Sequence, residues 1–143
     1  MLMTFGDYYS DYLKPFAISD EYSLSQNDKK IIKIEKNNPL CGDKVTLYFL
    51  QDKQGKVTEI SNHVEGCRLI QASANILCHT IMHKTVEEIK VITQVLEQKI
   101  FSDQKITISK NMQPWQYLWL SNEFPARLKC IWLPWELLYD YLS

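Results

Sequence analysis

Three cysteines and one aspartate are the residues here whose types and spacing suit chemistry. Cys41 and Asp43 flank Gly42 in the stretch NNPLCGDKVTLYF, Cys67 follows Gly66, and Cys130 follows FPARLK. A thiolate is both a zinc ligand and the nucleophile of disulfide exchange, and a carboxylate adds an oxygen donor. Three thiolates with one carboxylate equal the donor count of a tetrahedral zinc site. The competing readings are plain: Asp43 as a turn residue, and Cys67 and Cys130 as small buried hydrophobes. The fourth cysteine, Cys78, lies eleven residues beyond Cys67 in the same predicted helix. At the helical rise that is roughly 16 Å along the axis, too far to share a metal with Cys67. His79 and His83 lie further still, and His63, if the strand is extended, is roughly 13 Å from Cys67. These histidines read as solvent-facing or half-buried polar residues.

The elements that must position the four donors follow from the hydrophobic pattern. KIIKIEKN, KVTLYFLQ and KVTEISNHV read as strands, the last two joined by DKQG as a hairpin turn. They predict a small three-stranded antiparallel sheet. From Cys67 the period changes, and CRLIQASANILCHTIMH predicts a helix packed on that sheet. A second helix starts at Thr85, where Glu88 three residues on completes a capping-box pattern. Ahead of the sheet, Phe5, Tyr8, Tyr9 and Tyr12 have the spacing of a short amphipathic helix ended near Lys14 and Pro15. Residues 102–123 give no regular pattern, and the tail CIWLPWELLYDYLS predicts a helix from about Pro134. The fold class expected is α+β, a small three-stranded antiparallel sheet against several α-helices. On it Cys41 and Asp43 precede a strand, in a turn where Gly42 permits unusual backbone angles. Cys67 sits at a strand-to-helix junction, whose free N–H groups and positive helix end favour a negatively charged sulfur. Cys130 stands at another element boundary.

Composition narrows the function classes. With 143 residues, 45% of them hydrophobic, the chain is expected to make one domain over residues 1–143. Sixteen basic against 17 acidic residues, a formal net charge of −1, leave no basic footprint for nucleic acid or an anionic membrane. No apolar run approaches the roughly 20 residues of a membrane span. The opening MLMTFGDYYSDYL lacks the order of a secretory signal, so the expected compartment is the reducing cytoplasm. The four tryptophans read first as core, with an exposed aromatic patch for a partner protein as the alternative.

NNPLCGDKVTLYF, VEGCRLIQASANIL and FPARLKCIWLPWELL, in that order, resemble the U-type iron–sulfur assembly proteins: IscU, SufU and the N-terminal domain of NifU. The resemblance spans roughly residues 30–140 and implies a SufE/NifU-like fold. Lys129 before Cys130, sixty-two residues between Cys67 and Cys130, and FPARLK in place of a chaperone-binding motif point to the SufU branch. That branch implies Zn2+ held by Cys41, Asp43, Cys67 and Cys130, and sulfur accepted from a SufS-type cysteine desulfurase. It implies Cys41 as acceptor, with Cys130 as the alternative, and an accessory docking or orienting role for Arg127. The alternative is an IscU-like scaffold, on which the same residues hold iron or a [2Fe–2S] cluster destined for apo iron–sulfur proteins.

Overall fold

The protein is described by a computed structural model over residues 3–17, 30–38, 42–107 and 109–143. Its sheet forms where the sequence alternates. Strand β1 (Ile32–Asn38) pairs antiparallel with β2 (Asp43–Gln51), and β2 with β3 (Val57–Glu65), in the order β1-β2-β3. In edge strand β1, Ile32 and Ile34 turn toward the core while Lys33 and Glu35 stay exposed. Central strand β2 contributes the fully buried Val45, Leu47 and Phe49. The β2–β3 turn is held by Asp52, whose side-chain oxygen accepts from the Gln54 and Lys56 N–H groups.

Helix α3 (Arg68–Ile81) lies on this sheet, with Ile70, Ile76, Leu77 and Ile81 fully buried. A polar network fixes it there. Asn62 of β3 donates to the Asn75 side chain at 2.9 Å, Gln71 donates to Asn62 at 2.9 Å, and Asn75 donates to the Phe16 carbonyl. Helix α4 (Val86–Ile100) begins at Thr85 with both halves of the predicted capping box, and buries Ile89, Leu96 and Ile100.

Two predicted boundaries move. The N-terminal segment does not stop near Pro15: α1 (Phe5–Tyr8) runs through a π-helical turn (Tyr9–Leu13) into α2 (Lys14–Ala17). The wider turn places Lys14 N–H on the Tyr9 carbonyl, five residues back, just ahead of the proline that has no N–H to give. The last helix, α6 (Leu128–Leu142), starts before Pro134 and carries it inside. The pattern-free stretch 102–123 holds short α5 (Pro114–Tyr117) and a 3-10 turn (Leu118–Glu123), with a second 3-10 turn (Pro125–Arg127) leading into α6.

Of the tryptophans, Trp132 and Trp135 are buried on α6, while Trp115 and Trp119 are half-buried and edge-to-face at 5.2 Å. The N-terminal aromatics pack on the chain ahead of α6. Tyr8 stacks on Phe124 at 5.4 Å and donates its hydroxyl to the Tyr117 carbonyl at 2.8 Å. Among the described residues no helix is long and apolar enough to cross a membrane.

Candidate metal centre

Asp43, Cys67 and Cys130 come from three elements and converge. Asp43 is the first residue of the central strand, Cys67 is the N-cap of α3, and Cys130 lies in the first turn of α6. One donor atom from each, two sulfurs and a carboxylate oxygen, lie within 4.8 Å of one another. Sulfurs at 2.3 Å from a tetrahedral zinc stand about 3.8 Å apart, so a contraction of about 1 Å at most closes the set around an ion.

Local sequence explains each placement. Gly42 adopts φ +72°, a left-handed conformation that favours glycine, and its N–H donates to the Asn38 carbonyl at 2.9 Å to close the β1–β2 connection. Asp43 then starts the ladder opposite Asn38 and is 8% exposed. On its other side the β2–β3 register pairs Lys44 with Glu65, so Gly66 emerges beside Asp43. A Cβ on Gly66 would meet the Asp43 carboxylate, 2.9 Å from its carbon and 3.1 Å from Cβ. The missing side chain is therefore space for the aspartate. Cys67 begins α3 in extended conformation, its carbonyl accepting the Gln71 N–H at 3.2 Å, while its side chain makes no capping hydrogen bond. Cys67 is exposed and Cys130 half-buried. A partly sheltered oxygen beside a reachable sulfur suits a metal that must be loaded and approached. The donor chemistry, the glycine cradle and the positive ends of two helices all fit a divalent cation bound by anionic ligands.

Cys41 falls outside the described residues. Cys78 is fully buried on α3; burial pushes its thiol up to about 12, against a hydrogen bond from Asn62 that lowers it. That holds it as an inert core thiol at neutral pH. His63 is exposed and 3.8 Å from Glu65, and His79 and His83 are exposed. Arg127 sets its guanidinium 4.5 Å over the Phe5 ring, joining the N-terminal helix to the turn just ahead of Cys130. Sequence reasoning missed two features: the close approach of Gly66 to Asp43, legible only once strand register is known, and a buried Ser73–Trp135 contact with α6.

The fold and site define a small α+β domain that gathers two cysteine sulfurs and a carboxylate at the ends of a strand and two helices. Residues 20–113 match the NifU-like N terminal domain family. The chain is 32% identical to the zinc-dependent sulfurtransferase SufU of Bacillus subtilis over 136 residues, 90% of this chain and 88% of that protein. It is 31% identical to the iron–sulfur cluster assembly scaffold protein IscU of Thermotoga maritima over 145 residues, 99% of this chain and 96% of that one. The crystal structure of an iron–sulfur cluster assembly scaffold protein for the SUF system (SufU) from Fervidobacterium islandicum AW-1 superposes with a TM-score of 0.80 at 27% identity, covering 98% of this chain and 100% of that one. The chain belongs to the SufU/IscU/NifU family of iron–sulfur cluster assembly proteins.

Proposed function

We propose that this protein is a zinc-bound sulfur acceptor in iron–sulfur cluster assembly, taking persulfide sulfur from a SufS-type cysteine desulfurase in the cytoplasm. Its metal ligands are Cys41, Asp43, Cys67 and Cys130. The observation that carries the reading is the approach of the Asp43, Cys67 and Cys130 donors to within 4.8 Å from three separate elements. Cys41, two residues before Asp43, completes the set by its position in the chain. The zinc reading is supported by the likeness to a zinc-dependent sulfurtransferase, and the scaffold reading by the equal likeness to an IscU scaffold; Lys129 before Cys130 and FPARLK incline the proposal to zinc.

Bound zinc keeps its cysteine ligands deprotonated at neutral pH. Four anionic donors around a divalent ion leave a formal charge of −2, and the positive ends of α3 and α6 offset part of it. The Cys41 thiolate attacks the outer sulfur of the desulfurase persulfide. A bond forms between Cys41 and that sulfur as its bond to the desulfurase cysteine breaks. The desulfurase cysteine leaves as a thiolate, the transferred sulfur keeps its proton, and no outside oxidant is needed. With the metal bound, Asp43 would be the one oxygen donor and the more exchangeable ligand type, and Cys41 would have to leave the ion before its thiolate could attack. Arg127, held over Phe5, steadies the turn that delivers Cys130.

Protein purified without oxygen is expected to be colourless, to carry about one zinc per chain, and to melt at lower temperature after chelation. It should stimulate a SufS-type desulfurase, and Cys41→Ser should abolish that stimulation. A brown chromophore with iron and acid-labile sulfide would instead establish the scaffold reading. A Cys41→Ser chain that still accepts sulfur would move the acceptor to Cys130.

A further inference from the structure

The first turn of α6, which carries Cys130, is gripped from outside the helix. Ser73, on α3 six residues after the N-cap Cys67, donates its hydroxyl to the Ile131 carbonyl at 2.6 Å. Trp135 donates its indole N–H to the same hydroxyl oxygen at 3.1 Å. Ser73, Ile131 and Trp135 are all fully buried. An indole N–H can only donate, so the serine oxygen must act as acceptor toward Trp135, and its single proton is left for Ile131. A serine inside a helix ordinarily returns its hydroxyl to a carbonyl one turn back in its own helix. Here the proton goes across to α6 instead.

Pro134 makes this grip consequential. It sits inside α6 with no N–H to offer the Cys130 carbonyl four residues back, and a proline ring at that position presses on the same carbonyl. The turn holding Cys130 is thus deprived of one of its own restraints at the site where α3 supplies one. Both helices start at the candidate metal centre, α3 from Cys67 and α6 two residues before Cys130, so their mutual setting determines how far apart the two sulfurs stand.

We propose that Ser73, oriented by Trp135, is a positioning residue that sets the Cys67–Cys130 separation by clamping the proline-loosened first turn of α6 to α3. This rests on the metal-centre reading above. The clamp acts through the backbone of the residue next to Cys130 and touches no ligand itself. Outer groups that orient metal ligands commonly matter by 10–100-fold in affinity.

The test titrates metal-free protein with Co2+, reading the visible ligand-field and sulfur-to-metal bands, and then with Zn2+ against a chromophoric chelator. Ser73→Ala is expected to lower Zn2+ affinity about tenfold or more and to shift the Co2+ spectrum. Ser73→Thr, which keeps the hydroxyl, should restore both. Trp135→Phe should fall between. Ile89→Val, a core change on α4, supplies a chain of lowered stability whose affinity and spectrum should match the parent. If Ser73→Ala folds poorly, Trp135→Phe and Ser73→Thr carry the comparison. Wild-type affinity and spectrum in Ser73→Ala or in Trp135→Phe would overturn the clamp while leaving the metal centre standing. A parent chain that binds neither Co2+ nor Zn2+ would overturn the metal-centre reading and the clamp with it.

Discussion

Gly66→Ala replaces one hydrogen by a methyl group, yet its neighbour is the Asp43 carboxylate. The added Cβ would lie 2.9 Å from the carboxylate carbon and 3.1 Å from the aspartate Cβ, with the carboxylate oxygen nearer still. Carbon atoms pack at about 3.5–4.0 Å, so relief requires a displacement of roughly 1 Å. The Asp43 backbone is held in the β1–β2 ladder and Gly66 directly follows the paired Glu65, so the side chain of Asp43 is what gives way. Overpacking of this kind costs about 1–3 kcal/mol. The donors already have to draw in by about 1 Å to close around an ion, and an Asp43 pushed roughly 1 Å further away lies well beyond the roughly 0.2 Å that metal–ligand distances tolerate, so it drops out of the donor set. Zinc affinity should then fall by an order of magnitude or more. Urea unfolding of the metal-free chain separates the two effects. In the parent background Gly66→Ala should cost about 1–3 kcal/mol, and measurably less in an Asp43→Ala background, where the carboxylate is gone and the Cβ contact at 3.1 Å remains. Gly42→Ala is the contrast. Among the described residues, its chain neighbours apart, no atom lies within 4 Å of its added Cβ, so the left-handed backbone is what is penalised, at about 1–2 kcal/mol, and that cost should be the same in both backgrounds. Equal costs for Gly66→Ala with and without Asp43, or unchanged zinc affinity, would refute the reasoning.

Cys78 gives a pH dependence whose sign is fixed. Burial raises its thiol from 9.0 to about 12, so between those values the unfolded chain releases a proton that the folded chain keeps. The unfolded state binds fewer protons there, and stability falls as pH rises through that window. The urea midpoint of the metal-free chain should be lower at pH 10 than at pH 8, with a smaller difference in Cys78→Ala. Lys36, whose ammonium the Glu136 carboxylate holds above its ordinary value of 10.5, adds its loss only at higher pH. His83 sits at φ +65° with its N–H bonded to the Val57 carbonyl at 2.7 Å. His83→Val should therefore cost about 1–2 kcal/mol by thermal melting, while His83→Gly should be close to neutral.

The strands and helices α3 and α4 were legible because their signals are local: alternation in the sheet, a clean change of period at Cys67, and a capping box at Thr85. The two misjudged boundaries both involve proline, whose local preference was overruled by distant partners. Pro15 is accommodated by a π turn whose helix is anchored through Tyr8 to Tyr117 and Phe124, more than a hundred residues away. Pro134 is carried inside α6 because Trp132, Leu133, Trp135 and Leu138 bury around it and Ser73 reaches the loosened turn. The 3-10 turn at Leu118–Glu123 has no periodicity long enough to read; its Leu118 and Leu120 are buried by packing, and its buried Ser121 donates to the Leu118 carbonyl. Asp43, Cys67 and Cys130 could be read from residue type and element boundary. The cradle at Gly66 and the grip on α6 depend on register and helix docking, which no local pattern encodes.

The division of the centre between the strand–helix unit and α6 also sets an order of events during synthesis. Sixty-two residues separate Cys67 from Cys130. At about 5–20 residues per second, Cys130 leaves the ribosome roughly 3–12 s after Cys67. On the proposed ligand set, the nascent chain until then holds Cys41, Asp43 and Cys67 without the α6 cysteine, an incomplete chelate from which a captured ion would escape more readily. On that set, secure loading would wait for α6 to emerge and dock, so metal retention would double as a report that α6 has been made and packed on α3.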